Sequence, residues 1–407
     1  MPRAGQRKPP SDSRLTDHIS IGVLTRVFPP ELVDGVVAEA GRRERRQRLL
    51  PARVVVYYVL ALALFADSSY EEVMRQLVEG LAWESGWRRR WEVPTKVAIY
   101  KARERLGREP LELLFRAVAV PLASESTRGA FYRGWRVVSL DGTCLDVADT
   151  VQNDRAFGRP GTGRGQGVGA FPQLRLVALA ESGTHAIFDV AVGPYTSSEK
   201  HLADRLLGGL SDGMLCLADR GFYSFERFQN ARKTGAQLLW RVTTHMLLPR
   251  EEQLADGSYL TRIYKTQTNQ RARRDGERVR VVEYRLDDPA LTEEDQRYRL
   301  ITTVLDPDAA PARDLAALYP ERWELESALD ELKAHQRGPR VVLRSKQPDG
   351  VYQEAYGHLC THYAIRRVMH DAALRADLVP HRLSFIRSLR AARRSTRTQP
   401  GFSPPQP

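Results

Sequence analysis

Residues 135–142 read Trp-Arg-Val-Val-Ser-Leu-Asp-Gly, a mostly apolar run that ends in an acidic residue and a glycine. A second run of this kind, Met-Leu-Cys-Leu-Ala-Asp-Arg-Gly, covers residues 214–221. Each run predicts a short buried strand followed at once by an aspartate, Asp141 in the first and Asp219 in the second. Taken alone, the Asp-Gly pair is more typical of a simple turn.

The order of elements around these two runs predicts the fold class. Further strands are predicted at 174–180, 185–192 and 237–242, with helices from a capping box at Thr196 and Glu199 through Leu207 and at 224–233. Three strands, a helix, a strand, a helix and a strand form an antiparallel meander continued by parallel strands with crossover helices. The predicted fold is therefore α/β, with an RNase H-like catalytic core.

Changes in hydrophobic pattern predict the domain boundaries. The core is predicted at 131–378, with a mostly β insertion at about 245–307 before its last helices. An all-α N-terminal DNA-binding domain is expected at 18–130, after a disordered lead at 1–17. A basic, partly disordered tail is expected at 379–407.

Two short helices in the N-terminal domain allow two interpretations. One helix begins after Thr95 and ends at Gly107, and Pro110 opens the next. The pair is either a helix-turn-helix or part of a helical bundle with a solvated basic face. In the first case the phosphate contacts would come from Lys96, Lys101, Arg103, Arg105 and Arg108.

The charge of the chain points to a polyanionic partner. Its 407 residues carry a formal net charge of +12, which favours nucleic acid first and an anionic membrane second. The longest apolar run, Val54–Ala66, is too short to span a bilayer. Because Met1–Asp17 lacks the apolar core of a signal peptide, we expect a cytoplasmic protein with no membrane partner.

Asp141 and Asp219 predict a metal site. The strands before them are neighbours in an RNase H-like sheet, so their carboxylates would converge at one edge and repel each other. Divalent cations relieve that repulsion, and carboxylate oxygens suit Mg²⁺ or Mn²⁺. Two such ions roughly 4 Å apart can cut or join a phosphodiester, which requires at least one more acidic ligand.

A helix predicted at 314–333 offers that acid. One stripe of this helix, within an arc of roughly 60° and about 21 Å long, consists of Tyr319, Arg322, Glu326 and Lys333. An acid between two cations suits a metal ligand beside a DNA backbone, with Glu326 on the metal and the cations on phosphates.

Other interpretations of this helix remain open on spacing alone. Arg322 and Glu326 are four residues apart, which is usually a surface salt bridge. Glu324 and Glu331 point away from the stripe, whereas Asp330 lies only about 20° beyond its edge. Geometry from the sequence therefore leaves both Glu326 and Asp330 as the third acid.

These residues together resemble the insertion element 4 family of bacterial transposases, members of the DDE group. The family signature is Tyr, two residues, Arg, three residues, Glu, six residues, Lys, which residues 319–333 match in full. Similar blocks elsewhere cover about residues 15 to 395. They are Leu50-Pro51-Ala52, Ser69–Val73, Asp141-Gly142-Thr143, Asn153, Phe157-Gly158, Asp219–Phe222, Leu343–Lys346 and Gln353-Glu354.

The resemblance implies a catalytic set and an activity. It assigns the three acids to Asp141, Asp219 and Glu326, and so favours Glu326 over Asp330. Family members cut both strands at the ends of their element, through a DNA hairpin in characterised cases. They then join the freed 3′-hydroxyls to target DNA, with two Mg²⁺ or Mn²⁺ ions in each active site.

The resemblance also implies DNA contacts and partners. Tyr319, Arg322 and Lys333 would hold the phosphates next to a flipped base, and we add Arg220 and Lys346 from the matching blocks. The expected partners are double-stranded DNA, as terminal inverted repeats and as target, and a second copy of the chain when DNA is bound. Bound protein would be associated with the nucleoid.

Two other functions compete with an active transposase. An inactive or domesticated transposase acting as a DNA-binding regulator would bind element ends without cutting them. An RNase H-like nuclease would not need the long N-terminal region, the insertion and the stripe at 319–333. The intact acids favour the active cut-and-paste enzyme.

Overall fold

The computed structural model describes residues 23–44, 46, 48–84, 93–161, 167–286, 297–337 and 342–398, without the side chains of 78–84 and 395–398. The predicted disordered lead at 1–17 and the last residues of the tail lie outside this part of the chain. No helix within these ranges combines the length and apolarity needed to cross a bilayer.

The N-terminal part is helical, as predicted. Its helices are α1 Val23–Val27, α2 Pro30–Glu39, α3 Ala52–Leu64, α4 Tyr70–Glu84, α5 Lys96–Leu106 and α6 Glu109–Val118. The Thr95 side chain accepts a hydrogen bond from the Ala98 N–H and caps α5. Gly107, at a φ of +68°, ends the same helix. Both signals read from the sequence of this region are therefore confirmed.

One mixed sheet forms the centre of the molecule. Its strands are β1 Phe131–Tyr132, β2 Trp135–Asp146, β3 Gln173–Glu181, β4 Ile187–Pro194, β5 Met214–Ala218, β6 Gln237–Arg241, β7 Glu252–Gln253, β8 Tyr259–Ile263, β9 Glu277–Arg285 and β10 Arg297–Thr302. The strand order is β4-β3-β2-β5-β6-β10-β9-β8-β7, and β1 pairs with β2. Strands β2, β3 and β4 are an antiparallel meander, and β5 and β6 run parallel to β2. The RNase H-like order is confirmed.

The predicted β insertion extends this sheet. Strand β10 pairs antiparallel with β6, with Ile301 opposite Trp240, and β9 and β8 continue outward from it. A short helix, α10 Gln267–Ala272, interrupts the strands. The insertion is mostly β, as expected, and it lengthens the core sheet on the side of β6.

Helices cover both faces of the sheet. They are α7 Val151–Phe157, α8 Glu199–Asp204, α9 Phe225–Arg232, α11 Ala312–Leu318, α12 Trp323–Asp330, α13 Pro348–Arg375 and α14 Phe385–Thr398. Alternate strand residues face opposite layers: Cys216 packs with α8 and α9, whereas Leu217 packs with α11. Helix α14 lies within the segment predicted as a basic tail.

The N-terminal helices share one core with α12, α13 and the sheet. At the crossing of α3 and α13, a Cβ on Gly357 would lie 3.0 Å from Val59 Cγ1, so glycine permits the close approach. Arg103, a predicted phosphate contact, is only 8% exposed and donates to Gln353 Oε1 at 2.9 Å. That prediction is wrong, because the α5 guanidinium is used to fix α5 against α13. This packing favours the helical-bundle interpretation.

The buried His358 makes stability depend on pH. Burial, reinforced by the charges of Arg337 and Arg344, lowers its pKa from 6.5 to about 3. Between these values the unfolded chain binds a proton that the folded chain does not, so this contribution is lost as pH falls. We expect the free energy of unfolding to drop by up to about 1.4 kcal/mol per pH unit below pH ~6.5 from this residue.

Urea unfolding of wild type and His358→Gln at several pH values between 7.5 and 5 tests this expectation. The free energy of unfolding should depend less steeply on pH in His358→Gln than in wild type. Replacement of the exposed His201 by glutamine should leave the wild-type dependence unchanged. Equal slopes in wild type and His358→Gln would contradict the burial of a neutral His358.

Candidate active site

Asp141 lies inside a strand. The sequence predicted that the strand ends at Leu140, but β2 continues to Asp146. The reason is that β3 goes on pairing with β2, with Ala178 opposite Asp141, after β5 has stopped at Ala218 opposite Leu140. The turn interpretation of Asp141-Gly142 is therefore wrong. Asp141 is the first residue of β2 that pairs with β3 but no longer with β5.

Asp219 comes directly after β5. Since Leu140 pairs with Ala218 in the parallel register of β2 and β5, the next position on each strand is one of the two aspartates. Asp219 keeps an extended backbone, at a φ of −78° and a ψ of 165°, before the 3₁₀ turn Arg220–Phe222. Its charge acts on the Arg322 guanidinium together with the charges of Asp141 and Glu326.

The segment predicted as one helix at 314–333 changes geometry twice. Helix α11 is followed by a 3₁₀ turn at Tyr319–Arg322, then by α12, then by a π-helical turn at Glu331–His335. Pro320 has no N–H for an α-helical bond, which explains the first change. The single stripe predicted at ideal helical spacing is therefore not kept: Tyr319 and Arg322 are buried, and Lys333 is exposed.

Arg322 joins the strand to the helix. Its Nη1 donates to Asp141 Oδ2 at 2.8 Å and to Glu326 Oε1 at 3.0 Å. Arg322 is 6% exposed, so its pair with Glu326 is not the ordinary surface bridge that the spacing allowed. The Nε of the same guanidinium has no hydrogen-bond partner among the residues that the structure describes.

The charges around Asp141 oppose one another. Burial raises the pKa of the Asp141 carboxyl to about 6. The Gly142 N–H and the Arg322 guanidinium act to lower it, and the negative charges of Glu326 and Glu199 act to raise it. A group in this setting gains stability from any further positive charge placed beside it.

The rival acids on the helix have other partners. Glu324 accepts a hydrogen bond from the Gly183 N–H. Glu331 accepts from Arg366 Nε at 2.9 Å, and the His362 ring lies 3.1 Å away. Asp330 is exposed and pairs with His335 at 3.4 Å. In contrast to Glu326, none of the three is recorded in contact with Arg322 or Asp141.

Burial favours the neutral form of Glu331, but His185, His362 and Arg366 outweigh it, and the pKa of the carboxyl lies well below its usual range. Glu331 is therefore a charged anchor between the π-helical turn Glu331–His335 and α13. This explains why the acid closest in sequence to Lys333 is not available as a ligand.

The acids at this edge have the chemistry of a Mg²⁺ or Mn²⁺ site. Among the residues of the described ranges, no three acidic, histidine or cysteine side chains approach closely enough to hold a metal ion. At this edge a cationic side chain lies between two of the acids, because Arg322 Nη1 pairs with both Asp141 and Glu326. The Arg322 guanidinium is thus a cation in contact with both carboxylates. Carboxylate oxygens are also the ligands that Mg²⁺ and Mn²⁺ prefer.

The predicted DNA contacts differ in exposure. Tyr319 is 2% exposed and its hydroxyl donates to the Ala218 carbonyl at 3.2 Å. Arg220 is exposed in the turn after Asp219, and Lys333 is exposed in the π-helical turn. Lys346 is exposed, and its carbonyl accepts a hydrogen bond from Thr150 beyond the end of β2.

Sequence reasoning missed Glu199. The predicted capping box with Thr196 is wrong, because Ser198 caps α8 and Glu199 is the first residue of the helix. The Glu199 carboxylate instead lies against Gly142, next to Asp141. The sequence signal that could have identified it is its place at the start of the crossover helix between β4 and β5.

Two family models match parts of this chain. The model of the insertion element 4 transposase N-terminal domain matches residues 18–116, and the model of the transposase DDE domain matches residues 133–363. The chain is 29% identical over 378 residues to "Transposase InsG for insertion sequence element IS4" of Escherichia coli (strain K12), covering 92% of this chain and 83% of that protein. It is 26% identical over 230 residues to "Putative transposase InsZ" of the same strain, covering 56% and 74%.

A solved structure is also similar. It is the cryo-EM structure of a piggyBac transposase synaptic complex with hairpin DNA, at 11% sequence identity and a TM-score of 0.48. The match covers 92% of this chain and 79% of that one.

Removing Arg322 should destabilise the fold in a way that a divalent cation corrects. In Arg322→Ala, Asp141 would be left buried without its counter-charge, which costs about 3 kcal/mol of unfolding free energy. Mg²⁺ or Mn²⁺ should raise the melting temperature of this variant more than that of wild type. Thermal unfolding with metal and with chelator measures both effects.

Arg116→Ala is the matched control, because Arg116 forms an exposed i, i+4 pair with Glu112. It should change stability by no more than about 0.5 kcal/mol and show the wild-type response to metal. An Arg322→Ala protein as stable as wild type and indifferent to metal would contradict the bridging role.

Proposed function

Since the chain belongs to the insertion element 4 family of DDE transposases, we propose that Asp141, Asp219 and Glu326 hold the divalent ions with which it cuts and joins DNA. The enzyme is an insertion-sequence transposase. The observation that carries the residue assignment is the single Nη1 atom of Arg322 shared by Asp141 and Glu326. A cationic group at that point is what an ion between the same two carboxylates would replace.

Each of the three acids is supplied by a different element of the fold. Asp141 is supplied by β2, Asp219 by the end of β5 and Glu326 by α12, which packs through Leu325 and Leu329 on the core. Two Mg²⁺ or Mn²⁺ ions held there would activate the attacking hydroxyl and stabilise the leaving oxygen of the phosphodiester. The 41% exposure of the Glu326 side chain leaves this acid accessible to a DNA strand.

Arg322 has a second role in this proposal. When cations neutralise Asp141 and Glu326, the guanidinium is no longer needed between them. Its Nε, which has no partner within the described part of the chain, would then be a donor for a phosphate oxygen. Tyr319 positions this residue by tying the turn before α12 to the end of β5.

The remaining cations would hold the DNA backbone. Arg220 follows Asp219 directly, Lys333 follows α12, and Lys346 lies beyond the end of β2. With a net charge of +12, the chain suits terminal inverted repeats and target DNA as partners. A homodimer on DNA, which would pair the two ends, and a cytoplasmic, nucleoid-associated location complete the proposal.

A cleavage assay tests the acids. Purified protein is mixed with a labelled duplex carrying the element's terminal repeat, with Mg²⁺, with Mn²⁺ or with chelator. We expect metal-dependent cutting at the outer edge of the repeat that falls to background in Asp141→Asn, Asp219→Asn and Glu326→Gln. Asp330→Asn, which removes a neighbouring charge on the same segment, should cut like wild type.

End binding without cutting in either metal would move the function to an inactive or domesticated regulator. Cutting that survives Glu326→Gln but not Asp330→Asn would reverse the choice of the third acid.

The phosphate contacts predict a salt dependence. Log affinity for the end duplex should fall linearly with log salt concentration, because bound cations release counterions. Lys333→Ala, Lys346→Ala and Arg220→Ala should each reduce the steepness of that line by about 1. Lys233→Ala, at the end of α9, should leave it unchanged, and an equal change in all four variants would count against these contacts.

A further inference from the structure

We propose that Glu199 is a fourth carboxylate of the catalytic metal site, where it holds a water ligand of the ion bound by Asp141. Glu199 belongs neither to the family signature at residues 319–333 nor to the other blocks that resemble the family. The inference rests on the proposed function, because it presupposes that Asp141 binds a divalent ion.

The first support is the position of the Glu199 carboxylate. A Cβ built on Gly142 would lie 2.2 Å from Glu199 Oε1 and 3.1 Å from Glu199 Cδ. The carboxylate therefore occupies the space that any side chain at position 142 would need. Gly142 has no positive φ to explain its identity. The tightest neighbour of the added Cβ is Glu199, and the Leu176 carbonyl oxygen of β3 follows at 3.2 Å, so the approach of Glu199 is the main local reason for a glycine beside Asp141.

The second support is that Glu199 approaches from the opposite face of the sheet. Helix α8 packs through Leu202 and Ala203 on the layer that also contains Leu140, whereas α12 packs on the other layer through Leu325. The pairing of β5 with β2 ends at Ala218 and Leu140, one residue before Asp141. Because successive strand residues point to opposite faces, Gly142 meets Glu199 on the α8 side, and Asp141 meets Arg322, which also contacts Glu326, on the α12 side.

The third support is that the Glu199 carboxylate lacks a counter-charge. Glu326 has Arg322 as a counter-charge, but no hydrogen bond or ion pair to the Glu199 side chain is found among the described residues. A carboxylate held against an acidic site without a partner is stabilised when a cation binds there.

Helix capping alone does not account for this arrangement. An acidic residue in the first turn of a helix gains stability from the helix dipole wherever its side chain points. Helix α9 shows the ordinary case: it is capped by Ser224, and Glu226 in its first turn pairs with Lys265. Glu199, on a helix capped in the same way by Ser198, is directed instead at Gly142.

The test measures Mn²⁺ binding to full-length protein without DNA, by the loss of the free-ion signal in electron paramagnetic resonance. Glu199→Gln should weaken Mn²⁺ binding by about 10- to 100-fold, the usual effect of removing a group that holds a metal's ligand. Glu226→Gln is the matched control and should bind Mn²⁺ like wild type. Unchanged binding in Glu199→Gln would overturn the proposal.

Asp141→Asn separates the two levels of inference. If it weakens Mn²⁺ binding and Glu199→Gln does not, only the role of Glu199 is wrong. If neither does, the proposed metal site itself fails.

Gly142→Ala gives an independent check that removes no charge. The new methyl group would displace the flexible end of Glu199, so Mn²⁺ binding should weaken as in Glu199→Gln. Combined with Glu199→Gln it should cause no further loss, because both changes act on one contact. Fully additive losses would show that Gly142→Ala acts through Asp141 or through the neighbouring Leu176 carbonyl rather than through Glu199, and would count against the proposal.

Discussion

The contact of one guanidinium with two carboxylates, Arg322 with Asp141 and Glu326, is the constraint on which the site depends. Asp141 is held by the hydrogen bonds that pair β2 with its neighbouring strands. Glu326 belongs to a separate element, α12, which packs on the sheet. Without a cation between them, two acids on separate elements would repel each other and push the helix away. Arg322 precedes Glu326 by one helical turn. The same segment therefore supplies both the acid and the guanidinium that neutralises it beside Asp141.

Polar anchors on either side of that contact fix the rest of the segment. The Tyr319 hydroxyl holds the 3₁₀ turn to β5, and Glu324 holds α12 to the turn between β3 and β4. Glu331 holds the π-helical turn to Arg366 of α13. Buried ionic contacts of this kind add little net stability, but breaking one leaves an unpaired charge, which makes the placement specific. Glu326 is left half-exposed between anchored neighbours.

The sequence alone predicted the strand order and the helical N-terminal part, because each rests on a local pattern of apolar and polar residues. It proposed Asp141 and Asp219 from their places after buried strands, whereas the choice of Glu326 over Asp330 came from the family resemblance. It misplaced Asp141 at a strand end, because the pairing of β3 beyond Ala218 is a contact between distant segments. It predicted one straight helix at 314–333. In the structure Pro320 interrupts the α-helical hydrogen bonding, and a π-helical turn begins at Glu331, which accepts a hydrogen bond from Arg366 of α13. Glu199 could not be found from spacing, since only the folded chain brings it to Gly142.

The most direct test of this account is the position of Mn²⁺, located by its anomalous X-ray scattering in crystals of the protein bound to its end DNA. We expect Mn²⁺ in contact with the carboxylates of Asp141 and Glu326, with Asp219 at the same site and the Arg322 guanidinium turned toward a phosphate. Mn²⁺ bound elsewhere, with Arg322 still bridging Asp141 and Glu326, would contradict the assignment of these residues as the catalytic metal site.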